Sequence, residues 1–475
     1  VTLHISLVGR RDLSGEIYRQ VRDAIINGVL HLGDRLPASR ELARTLSVSR
    51  MTVTVAYDRL TSEGFAVARL GDGTFVSQHA VRSRGDTRGR EVEGRLQPRR
   101  LWQSIPLPTA FAHPAIFDFR SGIPDAALFP HRTWRRLVAR TLRAEGSATG
   151  HYADPAGDPN LRRAIARHLG ISRGIAVSAD DVTITNGTQQ ALDVLARVLL
   201  APGDRVVVED PGYWPPRRLF ESLGARVLAV PVDAEGLRVK ALPRHVRVVY
   251  VTPSHQYPLG MSMTLPRRQA LLTWADRNDA AIIEDDYDTE FRFGGRPLEP
   301  LRMLDTTGRV IYVGSFSKTL LPSLRLGFLV APRSLCPAVH KAKFLSDWHS
   351  PTLTQGALAR FIDDGGFGRH IRRMNAIYGE RREMLTDILA RDFADHLEMV
   401  PSTTGLHIAA AARTASVDRI AAIARRAANA DVAVQTLSSF AVGGQPRAGL
   451  VLGFGGIGEK QIEEGLRRLR RCFNA

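Results

Sequence analysis

Ser315-Phe316-Ser317-Lys318-Thr319-Leu320, followed seven residues after its lysine by Arg325 in Leu324-Arg325-Leu326-Gly327, is the stretch on which the reading of this chain turns. The chain has five lysines against sixty arginines, and Lys318 is one of the five. Arginine replaces lysine as surface charge, but its guanidinium stays protonated. A lysine amine whose pKa is lowered can form an imine with an aldehyde. A serine, such a lysine and an arginine at this spacing suit an aldehyde that carries a phosphate, which is pyridoxal 5'-phosphate. The plainer alternative makes Lys318 one exposed lysine among several and the arginine preference a matter of codon usage.

Around this stretch, helical segments alternate with short apolar runs. Val182-Thr183-Ile184-Thr185, Arg205-Val206-Val207-Val208, Val246 to Val251, Ala281-Ile282-Ile283 and Val310 to Val313 suit strands buried on both faces of a mostly parallel sheet. Asn186-Gly187-Thr188-Gln189-Gln190 follows one of these strands and opens a helix, where free N–H groups and the helix dipole favour an anion. Gly187 permits close approach and Thr188 adds a hydroxyl; Ser315, Ser317 and Arg325 complete the expected phosphate cradle. Asp210-Pro211-Gly212-Tyr213 puts an aromatic ring on the loop after the next strand. Glu284-Asp285-Asp286-Tyr287-Asp288 gathers four carboxylates at the end of a buried strand, which is costly unless a cation is near. A protonated pyridine nitrogen paired with Asp285 is such a cation. A metal is the competing reading, but no histidine stands at ligand spacing in this cluster, and none is expected to be bound.

These separated motifs, over roughly residues 115 to 475, resemble the fold type I aminotransferases. The resemblance implies an α/β domain with a mostly parallel sheet and a small C-terminal α+β subdomain. It also implies that Lys318 carries pyridoxal phosphate as a Schiff base, that Tyr213 stacks on its ring, and that Tyr287 meets the ring's phenolic oxygen. Tyr152, in His151-Tyr152-Ala153-Asp154-Pro155, would reach the phosphate in the neighbouring subunit, which makes the chain a homodimer. Two places depart from the pattern. In His255-Gln256-Tyr257-Pro258-Leu259-Gly260, Tyr257 stands where the group carries an asparagine that touches the ring oxygen, and His255 is the candidate to replace that hydrogen bond. In Val451-Leu452-Gly453-Phe454, Val451 stands where an arginine pairs with the substrate carboxylate. Arg447 lies roughly 13 Å away along an extended strand and is no simple replacement. Loss of that pair weakens binding of ordinary amino acids by several kcal/mol unless compensated.

The first eighty residues read differently. Ile17, Val21, Ala24 and Ile25 share one helical face behind Ser14 as N-cap. Ser39 opens a second helix with Leu42 and Leu46 inward. After the turn Ser47-Val48-Ser49, a third helix capped by Ser49 buries Val53, Tyr57 and Leu60 and ends at Gly64. Phe65 to Leu70, Gly71-Asp72-Gly73 and Thr74-Phe75-Val76 then read as a hairpin. Helix, helix-turn-helix and wing, with Gly33-Asp34-Arg35-Leu36-Pro37-Ala38-Ser39-Arg40-Glu41-Leu42-Ala43 and Val48-Ser49-Arg50-Met51-Thr52-Val53, resemble the winged-helix domain of the GntR family of bacterial repressors. The resemblance implies that Arg40, Arg50, Thr52 and Thr54 lie at the DNA face and that the wing turn, with Gly73, reaches towards the minor groove. Arg50 can approach a guanine edge or a phosphate, whereas Ser49 and Thr52 suit phosphates. The alternative is a small helical domain with no role on DNA.

Domains are therefore expected at 1–79, for DNA, and at 111–475, for the cofactor. Between them, 80–110 lacks apolar period; Arg82, Arg84, Arg88, Arg90, Arg95, Arg99 and Arg100 mix with three acids and read as a basic flexible tether. The formal charge of +17 is compatible with DNA, although residues 1–79 hold ten arginines against eight acids, a net of only +2. No run of about 18 apolar residues suggests a membrane span. Arg10, Arg11 and Asp12 interrupt any signal-peptide core, and Cys336 and Cys472 form no disulfide framework, so a cytoplasmic protein is expected.

A winged helix fused to an aminotransferase-like domain resembles the MocR subgroup of GntR regulators. The function this implies is transcriptional control through pyridoxal phosphate, sensing the cofactor or a small amine that reacts with it, with vitamin B6 or amine metabolism as the target. Double-stranded operator DNA, the cofactor, an amine effector and a second copy of the chain are the expected partners. The alternative is a working aminotransferase with a DNA-binding arm. The missing clamp arginine favours the regulator, with little or no steady transaminase turnover.

Overall fold

The computed structural model describes residues 5–7, 12–77, 97–105, 115–144, 150–295 and 298–474. The chain divides into two compact units, Val1–Arg99 and Arg100–Ala475. Of the expected tether, Arg82, Arg84, Arg88, Arg90 and Arg95 lie outside the described residues, while Arg100–Ser104 forms a short helix with no buried side chain.

In the first unit, apolar residues at helical spacing dictate a three-helix core. Helices Leu13–Ile26, Ser39–Thr45 and Arg50–Ser62 bury Ile17, Val21, Ile25, Leu42, Val53, Tyr57 and Leu60 against one another. The first cap differs from expectation. Asp12, not Ser14, accepts from Gly15 N, because Asp12 takes a left-handed conformation (φ 54) that aims its carboxylate at the first turn. Ser49 does cap the third helix, accepting from Thr52 N at 3.1 Å. Gly64, at φ 79, follows its end. Arg59 bonds Glu63 and lies 4.0 Å over the Tyr18 ring, and the Tyr18 hydroxyl also bonds Glu63, tying the first helix to the third. Strands Ala66–Arg69 and Gly73–Val76 pair antiparallel as the wing.

The second unit is built on an eight-stranded sheet. Its order is Val182–Thr185, Gly327–Val330, Val310–Ser315, Ala281–Asp286, Val248–Val251, Arg205–Asp210, Arg226–Asp233, Gly236–Leu237. The five from Val310–Ser315 to Arg226–Asp233 run parallel, whereas Gly327–Val330 is antiparallel to both its neighbours. The apolar runs are buried on both faces, as a helix-covered parallel sheet requires. Parallel strands place their C-terminal ends along one edge, where α/β sheets bind ligands. A second sheet of four antiparallel strands, Leu397–Met399, His407–Ala412, Gly449–Gly453 and Gln435–Thr436, packs with helices Gly366–Asp392, Val417–Asn429 and Glu459–Asn474 as an α+β subdomain. Among the described residues no helix is long and apolar enough to cross a membrane.

Leu60 is fully buried at the centre of the small core of the first unit. Leu60→Ala is expected to cost about 2–5 kcal/mol. Hydrogen exchange would register this as faster exchange along Arg50–Ser62, with the protection of Val310–Ser315 in the other unit unchanged.

Candidate functional site

A cavity of about 290 Å³ opens at the C-terminal ends of the parallel strands. Thr188 and Gln189 come from the helix after the first strand, Tyr213 from the loop after Arg205–Asp210, and Thr252 from the end of Val248–Val251. Asp285, Tyr287, Ser315, Ser317, Lys318 and Arg325 supply the rest of the expected lining, with Ser121, Gly122, Tyr250 and Tyr257 added to it. Lys318 Nζ donates to the Gly122 carbonyl at 2.7 Å. Burial lowers the pKa of this amine, against the pull of Asp288 and Asp285.

The end of the cavity beside Lys318 is shaped by backbone. Gly187 is the N-cap of Thr188–Leu199, and Arg325 Nη2 donates to the adjacent Asn186 carbonyl at 2.7 Å. An added Cβ on Gly187 would stand 2.7 Å from the Arg325 guanidinium, and one on Gly327 would stand 2.8 Å from Gly187 Cα. Only glycines let helix start and strand come this close. Arg325 itself sits at φ 50, a costly conformation for a residue with a side chain, in the bend that points it at the helix start. Helix N–H groups, three hydroxyls and a guanidinium thus converge as an anion cradle.

Opposite in charge is Asp285, buried at the end of its strand. Its Oδ2 accepts from the Tyr250 hydroxyl at 2.6 Å, while Oδ1 is buried with no hydrogen-bond partner among the described residues. Burial, opposed by the Tyr250 bond, pushes its pKa up to about 7. Glu209 and Glu284 are likewise raised to about 7, chiefly by burial. The residues present therefore fit a flat cationic heterocycle that bears an aldehyde and a phosphate: an unsatisfied acid, an amine and an anion cradle line one cavity.

His255 is placed differently from the expectation. It does not line the cavity; its Nδ1 donates to Asp288 at 2.8 Å, and its Nε2 is buried without a partner among the described residues. Asp288 draws the ring away from the cavity, and Tyr287 stands between, its hydroxyl donating to the His255 carbonyl at 3.0 Å. His407, absent from the sequence reading, lies 4.5 Å from His255 ring to ring and donates from Nε2 to the Pro258 carbonyl. Two histidines thus approach the acid cluster where the sequence placed none. With Asp288 they hold ligand atoms within 4.8 Å of one another. Asp288 accepts from His255 and from Leu406 N, while the hydrogen bond of His407 goes to Pro258 and not to either of the other two.

Val451 does not line the cavity; it is buried with Val232, Leu259, Ala409, Leu437 and Phe440 in a cluster against which the cavity residue Tyr257 packs. Arg447 donates to the Val232 carbonyl and does not line the cavity. Neutral groups meet at the far end of the cavity instead. The hydroxyl of Ser121 is 2.7 Å from the Tyr257 hydroxyl and 2.7 Å from Gln435 Oε1, and Gln435 pairs across strands with Val451. Tyr152 is 77% exposed, with its ring 4.0 Å from that of Trp348; it is not part of this cavity wall.

In the first unit, Arg40, Ser49 and Arg50 are exposed. Thr52 and Thr54 are half-buried, and their hydroxyls are engaged with Ser49 Oγ at 2.8 Å and the Arg50 carbonyl at 3.0 Å. Gly73 opens the return strand of the wing at φ 111. Sequence reasoning missed Met51 and Val55, which are 70% and 47% exposed on the outward face of the third helix. Their signal was available: both are apolar at positions outside the Val53–Tyr57–Leu60 period.

Asp285 generates a test. Its carboxyl holds a proton up to about 7 in the fold but releases it near the ordinary 3.8 when unfolded. Between those values the folded chain binds more protons, so this group's effect on stability worsens as pH rises. Buried His407, pushed down to about 3, acts in the opposite sense below pH about 6.5, so a single Tm profile mixes the two. The comparison with Asp285→Asn isolates the carboxyl. Calorimetry on the cofactor-free proteins is expected to show the variant gaining Tm relative to the parent from pH 5 to 8.

Residues 116–469 match the family described as aminotransferase class I and II, and residues 13–76 match that described as bacterial regulatory proteins, gntR family. The probable rhizopine catabolism regulatory protein MocR of Rhizobium meliloti is 37% identical, over 97% of this chain and 93% of its own length. The HTH-type pyridoxine biosynthesis transcriptional regulator PdxR of Corynebacterium glutamicum is 33% identical, over 94% and 93%. Among solved structures, the α-aminoadipate aminotransferase LysN of Thermus thermophilus, complexed with N-(5'-phosphopyridoxyl)-L-leucine, superposes with a TM-score of 0.69 at 31% identity, covering 76% of this chain and 92% of that one. With both halves matched in this order and relatives that span nearly the whole chain, it belongs to the MocR subgroup of the GntR family of DNA-binding transcriptional regulators.

Proposed function

We propose that this regulator holds pyridoxal 5'-phosphate on Lys318 and that the state of the cofactor is the signal its DNA-binding unit obeys. The observation that carries this is the unpartnered Oδ1 of buried Asp285, in a wall shared with an amine and an anion cradle. When bound, the cofactor supplies an electrophilic carbon to amines and a ring that withdraws electrons. Asp285 holds the proton of the ring nitrogen in place. Arg325, Ser315, Ser317, Thr188 and the helix start at Gly187 take the phosphate. Tyr213 covers the ring, Tyr287 meets its oxygen, and His255 acts behind Tyr287 by fixing the peptide to which that hydroxyl donates. The amine of Lys318, lowered in pKa by burial, is the group that attaches.

The proposed effector is the cofactor itself or an amine without an α-carboxylate. Among the described residues, Lys318 and Arg325 are the cations that line the cavity, and both are committed to the cofactor. Where a carboxylate would dock, Val451 and the Ser121–Tyr257–Gln435 chain offer no charge. This supports a sensor with little transaminase turnover, acting on genes of vitamin B6 or amine metabolism, and the name of the relative PdxR points the same way. A homodimer fits as well. Tyr152, Phe344, Leu345 and Trp348 are exposed apolar groups, Tyr152 and Phe344 both lying against Trp348, and a second copy would cover them while bringing Tyr152 to its phosphate site.

Adding the cofactor to purified protein is expected to produce visible absorption, and borohydride is expected to fix the cofactor's mass to the peptide containing Lys318. Lys318→Ala should show neither, and the footprint on adjacent intergenic DNA should respond to the cofactor in the parent only. Steady transamination of common amino acids at about 1 s⁻¹ or faster would overturn the sensor reading.

Arg50 begins the third helix and is exposed. Arg50→Ala is expected to weaken operator binding by roughly 1–3 kcal/mol. Loss of preference at one position per half-site would mark a base contact. A uniform loss with a salt slope about one unit shallower per arm would mark a phosphate contact. Unchanged binding would remove Arg50 from the interface.

A further inference from the structure

The outward face of the third helix carries Asp58, Arg59, Thr61 and Ser62 towards its end, but its first turns expose two apolar side chains, where a DNA-reading helix is normally polar. Its buried side carries Val53, Ala56, Tyr57 and Leu60. One turn apart on the opposite side stand Met51, 70% exposed, and Val55, 47% exposed. The hydroxyls that flank them are already engaged within the helix start: Thr52 with Ser49, and Thr54 with the Arg50 carbonyl. Exposed Arg50 and Arg40 stand on the same helix-turn-helix. In helix-turn-helix proteins the first residues of the second helix reach base edges in the major groove. The apolar feature in that groove is the C5-methyl group of thymine.

We propose that Met51 and Val55 are sequence-determining residues that read thymine methyl groups, while Arg50 and Arg40 supply the charge that brings them there. The occupant of this apolar stripe is thus the major groove of duplex DNA with a thymine at the contacted step. Continuity with the helix start favours it: a surface one residue from Arg50 enters the groove whenever that helix does. Val55, a turn further along, sits over the next step of the same groove. Specificity then comes from shape and methyl burial at these positions, without a hydrogen bond that discriminates the base.

The test uses the full-length protein and duplexes it enriches from a random library. Each consensus thymidine is replaced singly by deoxyuridine, which removes the methyl and keeps every hydrogen-bonding group. Burial of one methyl predicts that uridine at the contacted position weakens binding about fourfold per half-site. Met51→Ala should bind the thymidine and uridine duplexes alike at that position, and Val55→Ala should do so at its own. Both residues are on the surface, so neither change removes core packing. The proposal is overturned if the library yields no consensus thymine or if uridine is tolerated at every position. It is equally overturned if the uridine penalty is the same in the parent and both variants, as it would be were the stripe reserved for another protein.

Discussion

A carboxylate buried at the end of a strand with one oxygen unpartnered is the constraint around which the larger unit is organised. An unsatisfied buried acceptor costs about 1–3 kcal/mol, and more when it is charged. Asp285 incurs that cost at the centre of the sheet, between Val248–Val251 and Val310–Ser315. The two neighbouring strands answer it in part: Tyr250 donates to Oδ2, and the chain after Ser315 brings Lys318 to the cavity. A cation placed against Oδ1 removes the remaining deficit. Parallel pairing matters because it puts the acid, the amine and the anion cradle at the same edge.

The smaller unit works under a different economy. Among the described residues its core is fourteen buried apolar side chains, and its surface must do the reading. Wherever the third helix does not face Ile17 and Val21, its chemistry is free to address a partner. The capping bond at Ser49 fixes where that helix starts and therefore which side chains lead.

Much of this was legible from residue types and spacing, and the failures have physical causes. The apolar runs predict strands that end at Val208, Ile283 and Val313, but the strands run on to Asp210, Asp286 and Ser315. Apolar character stops where the strand ends begin to carry acids and hydroxyls into the cavity. Backbone pairing continues regardless. Tyr250 looked like one more strand residue; only the register Tyr250↔Ile283, with Asp285 two residues further on, puts its hydroxyl on that acid. His407 is over a hundred residues from Asp288, a proximity that no local pattern carries. Lys318, Asp285, Arg325 and Gly187 were legible because each answers a need that can be named from chemistry alone.

The close approach of Gly327 to Gly187 has a consequence for how such proteins diversify. A Cβ at Gly327 would sit 2.8 Å from Gly187 Cα, so that end of the cavity tolerates no added side chain at either position. The opposite end is lined by Ser121 and Tyr257, and Ser121 bonds Gln435 of a separate sheet, where Gln435 pairs with Val451. The two ends of the cavity are thus backed by different layers of the molecule. Change in the small sheet can then reach the cavity through Ser121 while the glycine contact at the other end stays fixed, so one scaffold can alter what its cavity admits without altering how helix start and strand meet.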